Sequence, residues 1–109
     1  MVILGIDPGY AIIGWGVLEY RANKFKVIDY GAVTTSAKTP FPLRLCDIYS
    51  GICEILKKYE PQVLSMEKLF YNNNAKTVID VAQARGVITL AAQQNGLQIA
   101  EYTPLQVKQ

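Results

Sequence analysis

Val2-Ile3-Leu4-Gly5-Ile6-Asp7, followed by Pro8-Gly9, is the stretch on which the fold turns. A nearly continuous apolar run ending in a carboxylate suits a strand buried on both faces, and the Pro-Gly pair turns the chain behind it. Residues 11–20 and 24–35 read as two further strands, with Arg21-Ala22-Asn23 as the hairpin turn. Gly14 and Gly16 mark thin packing or close backbone approach within the second strand. Pro40-Phe41-Pro42 ends the sheet run and opens a helix. Over residues 43–59, Leu45, Ile48, Tyr49, Ile52, Ile55, Leu56 and Tyr59 recur at three- and four-residue steps and make one apolar helix face, which Pro61 terminates.

Residues 62–67 read as a short strand that again ends in a carboxylate, Glu67. The run Asn72-Asn73-Asn74 supplies an N-cap for a long helix over 75–94, closed by Asn95-Gly96. A fifth strand covers 97–102, and Thr103-Pro104 opens another helix about one turn before Gln109. Three strands joined by tight turns form an antiparallel meander. The two later strands each follow a helix and return parallel through right-handed crossovers. The expected fold class is therefore α/β: a mixed five-stranded sheet, three antiparallel strands then two parallel, with helices packed on it.

The length, 109 residues, fits one domain over 1–109. Half of the residues are hydrophobic and 18% are charged, which argues against disorder. Eleven basic and nine acidic side chains give a net charge of +2. The basic residues are spread evenly, so composition alone gives no reason to propose nucleic acid or an acidic membrane as partner. No histidine occurs, which excludes an imidazole base or a histidine-based zinc site within this chain. Cys46 and Cys53 lie on one helix about 10 Å apart in rise, too far for a disulfide, and read as small buried apolar residues in a reducing compartment. No signal-peptide pattern and no apolar stretch of membrane-spanning length is present, so a soluble, cytoplasmic protein with no membrane partner is expected.

Nine carboxylates are available, and most sit where a solvated surface residue sits. Asp7 and Glu67 differ, because each ends an apolar strand and precedes a loop. If the two strands run parallel side by side, their carboxylates share one sheet edge about 4.8 Å apart. Such a pair repels unless a cation holds it. With oxygen donors only, the matching cation is a hard one, Mg²⁺ or Mn²⁺. The competing readings are a plain turn aspartate before Pro-Gly, a solvated rim glutamate, and a phosphate cradle of the actin-like ATPase kind. The long helix carries two apolar stripes: Ala75, Ile79, Ala82, Gly86 and Leu90, and Val78, Val81, Ala84, Ile88 and Ala92. Both cannot face one sheet. One stripe is expected on the sheet and the other against a second copy of the chain, with Val78 and Val81 read as outward positions.

Leu-Gly-Ile-Asp-Pro-Gly (4–9) with Gly14-Trp15-Gly16-Val17 resembles the N-terminal motif of the RuvC family, the bacterial Holliday-junction resolvases. So do Pro42-Leu43-Arg44-Leu45, Glu67-Lys68-Leu69-Phe70, Asn73-Asn74-Ala75, Gln83-Ala84-Arg85-Gly86-Val87, Glu101-Tyr102 and Val107-Lys108-Gln109, in order from end to end. The resemblance implies a ribonuclease-H-like fold and a homodimer, whose seam the two apolar stripes assign to helix 75–94. It also implies metal-dependent paired nicking of four-way DNA junctions in recombination and repair. It makes Asp7 and Glu67 the first two catalytic, metal-binding carboxylates, with two Mg²⁺ ions (or Mn²⁺) in the complete site. Phe70 falls where the family places an aromatic at the junction centre, and Lys108 where it places a basic residue facing DNA. Lys68, Lys76 and Arg85 are candidates for further phosphate contacts. The family continues into a helix bearing its last acidic ligands, whereas no carboxylate here lies beyond Glu101. The expectation is a fragment or truncated relative, binding Mg²⁺ weakly and cleaving little by itself. The alternatives are a non-catalytic junction-binding module and an actin-like phosphotransferase or ATPase domain.

Overall fold

The structure, a computed structural model, describes residues 1–67 and 75–102. Its elements are β1 (Val2–Asp7), β2 (Ile12–Arg21), β3 (Lys24–Thr34), α1 (Phe41–Tyr59), β4 (Val63–Glu67), α2 (Ala75–Gln94) and β5 (Gln98–Tyr102). Every one of these was expected from sequence, with ends displaced by two residues at most. The strands form one sheet in the order β3-β2-β1-β4-β5. β1 pairs antiparallel with β2 and parallel with β4, and β5 adds parallel to β4. The β2–β3 hairpin closes through Ala22 and Asn23, both with positive φ (54° and 62°), the backbone of a turn whose twist matches its strands. The register of that hairpin slips between Val17 and Leu18, leaving Ile28 as an extra residue in β3.

Both crossovers advance across the sheet in the same direction, first to β4 and then to β5. A crossover of fixed hand then lays both helices on the same face. The core is built on that face. Leu4 and Ile6 of β1, Ile13 and Val17 of β2, and Leu64 and Met66 of β4 are buried against Ile48, Ile52, Ile55 and Leu56 of α1 and Ala84, Ile88, Ala91 and Ala92 of α2. Ile48 and Ile52 are fully enclosed, and each such side chain stabilises the fold by roughly 1.5–3 kcal/mol. α1 approaches β3 so closely that a Cβ on Gly51 would lie 2.9 Å from Val33 Cγ1. The α1 C-terminus is closed by Glu60 in the left-handed region, its N–H donating to the Leu56 carbonyl at 3.0 Å. The Asn95-Gly96 stop of α2 is as expected, with Gly96 at φ 77° and the Leu97 N–H donating to the Ala92 carbonyl.

Two expectations are corrected. Strand β1 is not buried on both faces: among the described residues, both helices lie on the side of Leu4 and Ile6, while Ile3, Gly5 and Asp7 face away from them. A continuous apolar run records which residues avoid water, not how many layers cover them, and here Gly5 continues the run without contributing a side chain. The stripes of α2 are also reassigned. Ile79, Ala82, Gly86 and Leu90 are exposed, with Ile79 at 56% and Leu90 at 51%, whereas Val78 and Val81 are half-buried. Cys46 is exposed and Cys53 half-buried, both free, so only the second resembles the buried thiol expected. No helix among the described residues is long and apolar enough to cross a membrane.

At the end of the helix layer away from Asp7, the Asp29 carboxylate accepts hydrogen bonds from the Tyr59 hydroxyl and from the Tyr30 N–H, at 2.8 Å for the latter. Tyr59 also packs its ring on Trp15 at 5.9 Å. The Tyr59 bond foremost, then the Tyr30 N–H, hold Asp29 below its ordinary value of 3.8. Because folding lowers this pKa, the contribution of Asp29 to stability is present above 3.8 and is lost as pH falls through the depressed value. Tyr59→Phe keeps the ring on Trp15 and removes the donor. Thermal melts between about pH 2 and 5 should show a shallower acid-side loss in this variant than in the unmodified protein. Equal acid limbs would mean that the Tyr59 hydroxyl does not hold the carboxylate.

Candidate metal and nucleic-acid site

The parallel register of β1 and β4 places Ile6 opposite Met66. The next residues along the two strands are Asp7 and Glu67. Leu4, Ile6, Leu64 and Met66 point into the helix layer, so by strand alternation both carboxylates project from the opposite, open face. Strand spacing sets their Cα atoms about 5 Å apart. Asp7 is exposed and Glu67 half-buried. Together with Gly5, Gly14, Trp15 and Gly16 they line a basin of about 450 Å³.

The floor of that basin is glycine. Gly5 lies opposite Gly16 and Asp7 opposite Gly14 on β2. A Cβ on Gly16 would meet nothing within 4 Å, and one on Gly14 would sit in ordinary contact, 3.6 Å from Asp7 Cβ. Of the two sequence readings of these glycines, thin packing is the one observed: side chains here would occupy the basin without disturbing the sheet. Gly9 differs. A Cβ there would come 2.4 Å from the Ile12 carbonyl oxygen, so the turn that carries the chain from Asp7 into β2 closes only on glycine.

Glu101, the remaining carboxylate near this edge, lies opposite Met66 and so faces the helix layer, where it pairs with Arg85 of α2. It is turned away from Asp7 and Glu67, and Arg85 is occupied by this pair instead of offered to a phosphate. Among the described residues, no group of three or more Asp, Glu, His or Cys side chains forms a metal cluster. The donor set is two carboxylates over an open basin. That suits Mg²⁺ or Mn²⁺, which keep several waters and bind through one or two carboxylates together with substrate phosphate. Phe70, Lys108 and Lys68, together with the expected helix at Thr103-Pro104 and the Asn72–Asn74 cap, lie outside the described residues; so does the side chain of Lys76. From sequence, Arg44 had no role beyond its place in Pro42-Leu43-Arg44-Leu45; it is buried at the start of α1, on the helix side of the sheet, whereas Asp7 projects from the opposite face. Its signal was available: Arg44 stands one helical turn before Ile48 on the inward stripe.

Comparison with known proteins leads to the same family. The family model for Crossover junction endodeoxyribonuclease RuvC matches residues 3–109. The RuvC of Clostridioides difficile is 58% identical over 109 residues, covering 100% of this chain and 64% of its own length. That of Alkaliphilus metalliredigens is 53% identical, covering 100% and 66%. The structure of T. thermophilus RuvC in complex with a Holliday junction substrate superposes with a TM-score of 0.90 at 30% identity, over 99% of this chain and 68% of that one. The architecture is the ribonuclease-H-like one expected from sequence. The chain spans about two-thirds of the length of the curated relatives it matches.

Two neighbouring carboxylates on one open face repel when no cation is bound. In metal-free buffer, Asp7→Asn and Glu67→Gln should each raise the melting temperature slightly. The gain should not exceed about 1 kcal/mol, since solvent screens the exposed partner. Chelated samples compared in parallel melts test this. A clear fall in stability for both variants would argue against a repulsive pair.

Proposed function

The chain belongs to the RuvC family of crossover junction endodeoxyribonucleases, and from that premise we propose that it is the nuclease-fold portion of a cytoplasmic enzyme that resolves four-way DNA junctions by paired, symmetric nicks. The observation that carries this reading is the side-by-side placement of Asp7 and Glu67 at parallel strand ends, on an open face floored by glycine. Asp7, on the central strand β1, and Glu67, on its neighbour β4, are the residues that would hold catalytic Mg²⁺ (or Mn²⁺). A divalent cation there supplies a lowered pKa for the attacking water and neutralises charge on the phosphate. The rest belongs to the chain. The glycine floor lets a sugar-phosphate strand reach both carboxylates, and the rigid parallel register fixes their separation. Phe70 is assigned to stacking on an unpaired base and Lys108 to the DNA backbone.

The remaining acidic ligands of the site are assigned to the third of the relatives' length that this chain does not span. On that reading the 109-residue chain alone binds junctions and cleaves little. The non-catalytic binding module expected as an alternative thus becomes a description of this portion and not a rival function.

The outward stripe of α2 is the proposed seam of a homodimer. Ile79, Ala82, Gly86 and Leu90 form an exposed apolar line, and Leu90 also borders a mainly apolar groove shared with Leu45, Cys46, Tyr49, Ser50 and Val87. A two-fold axis along this stripe gives one active site per subunit, matching the two equivalent strands of a four-way junction.

Two outcomes are expected in the intact protein. Asp7→Asn should lower junction nicking by about a thousandfold or more, the scale of losing several kcal/mol of charge stabilisation, while junction binding in a gel-shift assay stays within a few-fold. Retained nicking would remove Asp7 from the active site. Leu90→Glu or Ile79→Glu should give a folded monomer that nicks without coordination, whereas Val78→Glu and Val81→Glu should destabilise the subunit itself. Sedimentation that leaves Leu90→Glu and Ile79→Glu dimeric would place the seam elsewhere.

A further inference from the structure

Arg44 is the buried charged residue of the described core, only 8% exposed. Its Nε donates to Thr35 Oγ1 at 2.9 Å, and that hydroxyl donates onward to the Tyr10 carbonyl at 2.5 Å. The guanidinium lies over the Tyr10 ring, 5.0 Å from its centroid, and Tyr10 in turn meets the edge of Phe41. No carboxylate pairs with it among the described residues, where the ion pair found is Arg85 with Glu101. Arg85 Nε is the sealed, unpartnered side-chain nitrogen of the described residues. Among the described residues, the two Nη groups of Arg44 meet no hydrogen-bond acceptor, and neither is sealed from solvent. A cation with its stem and Nε enclosed, its fork unused and no acid to neutralise it is disfavoured in the folded protein by itself.

Its position suggests what neutralises it. Asp7 lies opposite Gly14, and Gly14 opposite Ala32, so the end of β1, the start of β2 and the end of β3 share one sheet edge. Tyr10 and Thr35 lie just beyond that edge, in the loops next to Asp7 and Thr34. α1 begins there too: it is 19 residues long, with no side-chain cap and no acidic residue in its first turn. Its unopposed positive end adds to the field of Arg44. Both features favour an anion at this edge, beside the loop that follows Asp7.

We propose that Arg44 grips a backbone phosphate of the DNA strand that crosses Asp7 and Glu67, next to the phosphate that is cut. The guanidinium fork matches phosphate geometry, and the Thr35–Tyr10 bonds hold the fork and the loop behind Asp7 as one unit. The inference rests on the junction-nuclease reading and adds to it a binding residue on the helix side of the edge. The bland competitor is a structural pin, in which Arg44 serves only to fasten Tyr10 to α1.

Arg44→Met separates the two, because methionine fills the same space without the charge. For the intact protein in EDTA, junction affinity is measured across a salt series alongside a thermal melt. A phosphate grip predicts an unchanged or higher melting temperature, about tenfold weaker binding at low salt, and a slope of log K against log salt reduced by about 1. A lower melting temperature with unchanged affinity and slope overturns the proposal. Should Arg44→Met not fold, the Arg44 Nε–H signal of ¹⁵N-labelled unmodified protein is followed during junction titration: a shift supports the grip, and an unmoved signal in the saturated complex overturns it. Failure of the unmodified protein to bind junctions at all would overturn the functional reading as well, which keeps the two failures distinguishable.

Discussion

Ile6 lies opposite Met66 because the chain, after three antiparallel strands, crosses through α1 and returns along the free flank of β1. That parallel pairing governs both the core and the site. It sets Leu4 and Leu64 side by side in the core, and one residue past Ile6 and Met66 it sets Asp7 beside Glu67. Strand alternation ties the two results together: a one-residue slip of β4 would turn Glu67 into the helix layer and Leu64 and Met66 out of it, parting Glu67 from Asp7. The burial of Leu4, Ile6, Leu64 and Met66 therefore holds the carboxylate pair in place from the helix side of the sheet. The same hydrophobic contacts that hold the sheet to its helices keep like charges at a distance they would not choose.

The helix layer and the open face divide the labour. On one side, wholly enclosed isoleucines and leucines are packed between β1, β2, β4 and the two helices. On the other, glycines replace side chains and leave an open basin beside Asp7 and Glu67. Charge follows the same division. Glu101, although it belongs to a neighbouring strand, is turned to the helix side and neutralised by Arg85. Asp7 and Glu67 are left with solvent, and with any cation that solvent supplies.

Much of this was legible in the sequence. The positions of all five strands and both helices follow from periodicity, Pro and Gly punctuation and the Asn95-Gly96 stop, because those signals act over a few residues. The Asp7–Glu67 neighbourhood was legible on the condition that the fourth strand returns parallel beside the first, which it does. Which face of a helix turns inward was harder. Val78 and Ile79 are equally apolar, and only the way α2 packs on the rest of the fold leaves the isoleucine exposed and the valine half-buried. Burial of β1 on both faces was over-read for a related reason, since the hydrophobicity of a run does not count the layers upon it. Arg44 entered only as part of Pro42-Leu43-Arg44-Leu45; its place on the inward stripe was legible, but Tyr10 and Thr35, which close around it, are distant in sequence.

The central claim is that Asp7 and Glu67 form one divalent-cation site on the open face of the sheet. Paramagnetic broadening of the backbone amide signals by substoichiometric Mn²⁺ tests it without DNA and without cleavage. The expected result is loss of the Asp7, Gly14 and Glu67 signals first, reversed by excess Mg²⁺, with the signal of Glu60, at the opposite end of the sheet, retained at the same Mn²⁺ level. Broadening that begins at Asp29, Glu101 or any other carboxylate while Asp7 and Glu67 stay sharp would contradict the claim.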